Sequence, residues 1–125
     1  YWHAFQLKRG STAYLTRAEQ LADEEEWDES SRYYFRYLQV RPDDDAARIL
    51  LAEIFDKSAD DPRQKPRAAE LYFRAVGLAP DRIDLHERLV ELLLELRRFP
   101  IAVEESKKLL NLDAENSTGL RVLAL

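Results

Sequence analysis

The sequence predicts an all-α fold, a row of antiparallel helix pairs stacked as a solenoid, with no sheet. Three observations carry that prediction. Apolar residues recur at helical spacing through most of the chain and nowhere alternate over a strand's length. Three stretches end alike, Leu38-Gln-Val-Arg-Pro42-Asp43, Val76-Gly-Leu-Ala-Pro80-Asp81 and Leu110-Asn-Leu-Asp-Ala114-Glu115, and their landmarks Pro42, Pro80 and Ala114 stand 38 and 34 residues apart. Only three Gly and five Pro occur in 125 residues, beside 34% charged residues, which suits amphipathic helices better than a turn-rich sheet protein.

The elements follow in chain order. Residues 1–10 read as the end of a preceding helix, and Ser11 or Thr12 as the cap that opens a first helix pair over 11–44. Its second helix starts near Asp28. A second pair spans 45–82: it opens from the Asp43–Asp45 run, with Ile49, Leu50, Ala52, Ile54 and Phe55 on one broad face. Pro66, favoured in a first helical turn, opens the partner helix. Between them, Ser58 to Lys65 has no apolar period and reads as an inserted turn over 58–65, with Arg63, Lys65 and Arg67 a small basic contact point or a tolerated surface insertion. A third pair over 83–116 begins after Asp81, carries Leu85, Leu89, Val90, Leu92, Leu93 and Leu96 on its first helix, and restarts at Pro100. Asn116 or Ser117 then caps a last helix over 117–125.

Each pair carries small residues where two helices cross, Ala18 with Ser30 and Ala52 with Ala68, then Ala102 in the third pair. Small residues there let helix axes approach to about 8–10 Å. With Tyr34 and Tyr72 one turn later, and Pro42 and Pro80 at the turns, the pattern resembles the tetratricopeptide repeat, a helix–turn–helix unit of about 34 residues. Val90, Tyr37, Leu109 and Ser106 depart from it. The resemblance implies a right-handed superhelix whose concave face binds peptides. It also implies which residues line that face: Leu15, Glu19 and Asp23 from the first repeat, Ile49, Glu53 and Asp56 from the second, and Glu87, Arg88, Glu91 and Glu95 from the third. Relatives that clamp a peptide's terminal carboxylate use cations there, whereas Arg88 is the one cation among these ten. The expected ligand is a basic or amphipathic peptide, drawn by complementary charge.

Several function classes are excluded or disfavoured. The chain has no Cys, which removes disulfides, thiolate chemistry and cysteine-based zinc sites. A net charge of −5, with no third of the chain basic, opposes nucleic-acid binding. No apolar run suggests membrane insertion. His86-Glu87 starts like the zinc-protease helix motif but meets Val90 where the second His belongs, and His3 is the only other imidazole. Tyr33, Tyr34, Phe35 and Tyr37 form an aromatic cluster that fits a core or an interface better than a stacking platform. No cofactor or metal site is expected. The reading is a non-catalytic scaffold for protein or peptide binding, a fragment of a larger protein and cytoplasmic, with an accessory domain of a larger enzyme as the alternative. The apolar ends, Tyr1, Trp2 and Phe5 on one side and Leu120, Leu123 and Leu125 on the other, predict self-association.

Overall fold

The computed structural model describes the backbone of residues 2–125 and the side chains of residues 10–125. The expectations for Tyr1, Trp2, His3 and Phe5 lie outside the described side chains. Among the described residues there are seven α-helices and no strand: α1 (Trp2–Asp23), α2 (Trp27–Val40), α3 (Asp45–Ser58), α4 (Lys65–Leu78), α5 (Ile83–Glu95), α6 (Phe99–Leu112) and α7 (Ser117–Leu123). They fall into two compact units, Tyr1–Asp60 and Asp61–Leu125.

In the first unit α1 and α2 cross where side chains are smallest. Ala18 and Ser30 are both fully buried, and the Ser30 hydroxyl donates to the Ala18 carbonyl oxygen at 2.7 Å, so the crossing is tied as well as close. Leu21, Tyr34, Tyr37 and Leu38 fill the space beside it, and Ala47, Leu51, Ala52 and Ile54 form the buried stripe of α3. Phe35 meets Phe55 edge-on at 6.1 Å between centroids, joining α2 to α3. The expected helix start at Ser11 or Thr12 is corrected: α1 runs unbroken from Trp2 to Asp23, and Ser11 is a buried helix-interior residue. Neither Pro nor a turn interrupts the chain there, and the lone Gly10 only weakens a helix.

The second unit begins with a single 3₁₀ turn, Pro62–Gln64, inside the stretch expected to be an elongated turn. Asp61 caps it by accepting from the Arg63 N–H at 2.9 Å, and Gln64 Oε1 accepts back from the Asp61 N–H at 3.4 Å. Helices α5 and α6 enclose Leu85, Leu89, Leu92, Leu93, Ala102 and Leu109, each at most 1% exposed. Val90, the larger residue at this pair's crossing, is accommodated with no exposure at all. Helix α7 approaches α6 through Gly119, where an added Cβ would stand 2.8 Å from Leu110 Cγ and 3.4 Å from the Ser106 carbonyl oxygen.

Turn geometry repeats along the chain. Asp44, Arg82 and Asn116 each donate a backbone N–H three residues back, to Arg41, Ala79 and Asp113. Asp44 and Asn116 then cap α3 and α7 by accepting from Ala47 and Gly119 at 3.1 and 3.0 Å. At α5 the expected cap Asp81 is displaced by one residue: Arg82 occupies the position with no side-chain cap bond and pairs with Asp84 at 2.7 Å. The turns after α1 and α5 share a second geometry. Glu25 and Arg97 adopt left-handed φ values of 59° and 58°, while the next N–H, of Glu26 and of Arg98, reaches five residues back to Leu21 and Leu93. That pairing satisfies carbonyls a helix end otherwise leaves open.

Candidate peptide-binding faces

In the first unit the i, i+4, i+8 spacing of Leu15, Glu19 and Asp23 sets all three along one stripe of α1. Leu15 is half-buried, Glu19 and Asp23 are exposed, and no cation among the described residues pairs with either acid. On α3, Ile49, Glu53 and Asp56 are half-buried beside Leu50, a large apolar side chain left 43% exposed. The nearby Lys57 places its ammonium 4.5 Å from the centre of the Trp27 ring.

The acids on α1 act on a buried phenol. Tyr34 is 2% exposed, and its pKa is pushed up to about 12, first by burial and then by the charges of Glu19, Asp23 and Asp44. It therefore stays a neutral hydroxyl at every ordinary pH. Asp44 is itself occupied: it accepts from the Tyr37 hydroxyl at 2.5 Å as well as capping α3.

The second unit arranges its acids differently. Glu87, Arg88, Glu91 and Glu95 share one side of α5, but every carboxylate there has a donor. Glu87 Oε1 accepts from Asn116 Nδ2 at 3.0 Å, Arg88 lies 3.2 Å from Glu91 Oε2 and 3.9 Å from Glu95 Oε1, and Lys65 Nζ stands 2.7 Å from Glu95 Oε2. Lys65 is the counter-ion that the sequence reading missed. The cations of the inserted turn do not form a free contact point, because Arg63 folds onto Asp61 at 2.7 Å, Lys65 onto Glu95, and Arg67 onto Glu70 at 3.4 Å.

The remaining motifs resolve into structure. His86 is 5% exposed, with Nε2 2.8 Å from the Pro80 carbonyl oxygen, so that nitrogen is the N–H donor, while Nδ1 is buried without a hydrogen-bond partner. Among the described residues no cluster of three His, Asp or Glu could hold a metal. In the aromatic cluster Tyr34 and Tyr37 are buried and Phe35 packs on Phe55. Tyr33 meets Tyr14 at 6.3 Å under the Arg36 guanidinium. No described helix is long and apolar enough to cross a membrane.

Helix pairs, recurrent turns and small crossing residues define an all-α helical-repeat protein, and comparison with solved structures makes the class specific. The fold is that of tetratricopeptide-repeat domains. MamA AMB-1 superposes with a TM-score of 0.77 at 19% identity, over 91% of this chain and 60% of MamA. The first such domain of Spaghetti (RPAP3), bound to the HSP90 peptide SRMEEVD, gives a TM-score of 0.65 at 14% identity, over 91% of this chain and 87% of that one. The second domain of human RPAP3, in complex with the HSP70 peptide SGPTIEEVD, gives 0.66 at 14%, over 94% and 95%. No protein-family model and no curated protein sequence matches the chain.

Proposed function

We propose that this protein is a non-catalytic scaffold that binds basic or amphipathic peptide segments through the acidic faces of its first helices. Its repeats are read as 11–44, 45–82, 83–116 and the start of a fourth over 117–125. Support comes from the fold, shared with domains that hold peptides, and above all from the charge of the candidate face. The two RPAP3 ligands end in Glu-Glu-Val-Asp and are acidic. A face that presents Glu19 and Asp23 without cations repels such a sequence and attracts its opposite. Leu15, Ile49 and Leu50 add partly exposed apolar surface for an amphipathic segment.

Fluorescence anisotropy with matched basic and acidic peptides at two salt concentrations tests the reading. Basic peptides are expected to bind more tightly, with the margin shrinking as salt rises. Equal binding of both series, or tighter binding of the acidic one, overturns it.

Self-association has support at one end. Phe99, Val103, Val122, Leu123 and Leu125 line an apolar recess of about 480 Å³, and Phe99, Leu123 and Leu125 are 49%, 46% and 85% exposed. Contiguous apolar surface of this kind marks association sites. Light scattering over a concentration series is expected to show a rising mass that Leu123→Asp suppresses; a constant monomer mass removes the idea.

A further inference from the structure

We propose that the apolar recess between α6 and α7 is a docking groove for an acidic amphipathic helix of a partner protein. This rests on the reading of the recess as an association surface, and it changes the preferred occupant from a second copy to a helix of opposite charge.

The groove follows from how α7 meets α6. Phe99, Val103, Ser106 and Leu110 recur at i, i+4, i+7 and i+11, so they form one stripe along α6. Gly119 brings α7 against the later half of that stripe, at Leu110 and the Ser106 carbonyl oxygen. The earlier half is left open. Phe99 and Val103 form one wall of the recess of about 480 Å³, and Val122, Leu123 and Leu125 form the other. None of these five side chains carries a hydrogen-bonding group, so the recess has nothing with which to orient a small polar ligand. A furrow between two helices with an apolar floor instead suits the apolar stripe of a third helix.

The charge around the furrow defines that helix. Arg97 and Arg98 directly precede Phe99, and Arg121 lies one turn before Leu125. All three are exposed, and no described carboxylate pairs with any of them. The acids that follow on α6 are occupied, Glu104 by Lys107 at 3.4 Å and Glu105 by Lys108 at 3.0 Å. Arginines elsewhere in the unit have partners, Arg82 in Asp84 and Arg88 in Glu91. An apolar floor therefore carries a rim of uncompensated positive charge.

A second copy suits that rim poorly. A symmetric dimer sets the same patch against itself, which brings the arginines of both copies together. Like charges so juxtaposed weaken an interface. Glutamates flanking an apolar stripe meet the rim with the opposite sign and leave the floor to the stripe.

The test uses the full chain and a fluorescein-labelled, helix-forming peptide with Leu at i, i+3, i+4 and i+7 and Glu on both flanks, beside a counterpart with Gln in place of Glu. The Glu peptide is expected to bind about fivefold more tightly at low salt, with the margin shrinking as salt rises. Leu123→Asp, at an exposed position, should weaken both peptides about tenfold. Arg98→Glu with Arg121→Glu should abolish the advantage of the Glu peptide and leave the Gln peptide unchanged. Comparing basic with acidic peptides in the Leu123→Asp protein keeps this groove from contributing to the test of the acidic faces. Equal binding of the Glu and Gln peptides, or an advantage that survives the arginine substitutions, overturns the acidic helix. If neither peptide binds while the scattered mass still rises with concentration, the recess belongs to a second copy and the self-association reading stands. Absence of binding together with a constant monomer mass overturns both.

Discussion

Asn116 does two jobs with one amide: its Oδ1 accepts from the Gly119 N–H at 3.0 Å to cap α7, and its Nδ2 donates to Glu87 Oε1 on α5 at 3.0 Å. A turn that restarts the repeat pattern thereby also orients a carboxylate of the candidate face. Asn116→Ala removes both bonds and should cost about 1–2 kcal/mol, the range for a lost cap. Asn116→Asp keeps the cap but sets a second carboxylate against Glu87, so its loss should be smaller at low salt than that of Ala and should shrink further as salt rises. Urea unfolding of the three proteins at two salt concentrations checks the order; an Asp variant less stable than the Ala variant would contradict it.

Tyr37 and Asp44 make stability depend on pH at both extremes. The Tyr37 hydroxyl, then the Ala47 N–H, hold the Asp44 carboxyl below its ordinary 3.8. A carboxyl held low in the fold contributes stability that is present above 3.8 and is lost as pH falls through the lowered value. Tyr37 is held above its ordinary 10.0, chiefly by the bond to Asp44. Its contribution is complete below 10.0 and lost as pH rises through the raised value. Tyr37→Phe should cost about 1 kcal/mol at neutral pH. It should also make the acid limb of the stability profile shallower and remove the decline that Tyr37 causes above about pH 10. Urea midpoints across the pH range read both limbs.

Two turns carry a conformational cost that can be removed. Glu25 and Arg97 sit at φ 59° and 58°, where a Cβ is strained and Gly is the usual occupant. The left-handed conformation costs an L-residue roughly 1–2 kcal/mol, and Gly returns about 0.5–1 kcal/mol of that through its looser unfolded chain. Glu25→Gly and Arg97→Gly should therefore each stabilise by about 0.5 kcal/mol, seen as higher urea midpoints. The two changes lie in different units and should add. A drop in stability for both would mean that their side chains contribute more than the strain.

Those turns also show where sequence reasoning stops. Apolar spacing locates α3 and α5 closely, and small residues mark the crossings inside each unit at Ala18, Ser30 and Ala102, all fully buried. Glu25 and Arg97 lack the Gly signal, so nothing local announces a left-handed residue. Ser11 and Thr12 look like caps because a cap and a helix-interior Ser differ only in what precedes them, and here α1 simply continues upstream. The acids of the candidate face are legible by spacing. Their compensation is only half so: Arg88 and Glu91 are three residues apart, but Lys65 reaches Glu95 from across the unit. The bond from Tyr37 to Asp44 is likewise a tertiary fact, since Tyr34 and Tyr37 look alike in sequence and only Tyr37 donates to an aspartate.

The same substitution at two buried serines should have opposite signs. Ser30 and Ser106 are both fully buried helix residues. The Ser30 hydroxyl donates across the α1–α2 crossing to the Ala18 oxygen, so Ser30→Ala deletes a buried bond and should cost about 1 kcal/mol. The Ser106 oxygen is buried with no partner, on the helix that Gly119 approaches. Its desolvation is uncompensated, and the methyl of Ala occupies nearly the same space without that penalty, while Ala is also the better helix former. Ser106→Ala should raise stability by about 1 kcal/mol. Urea unfolding of the two variants side by side decides it: a gain at Ser30 or a loss at Ser106 shows that the hydroxyl in question is paired otherwise than described.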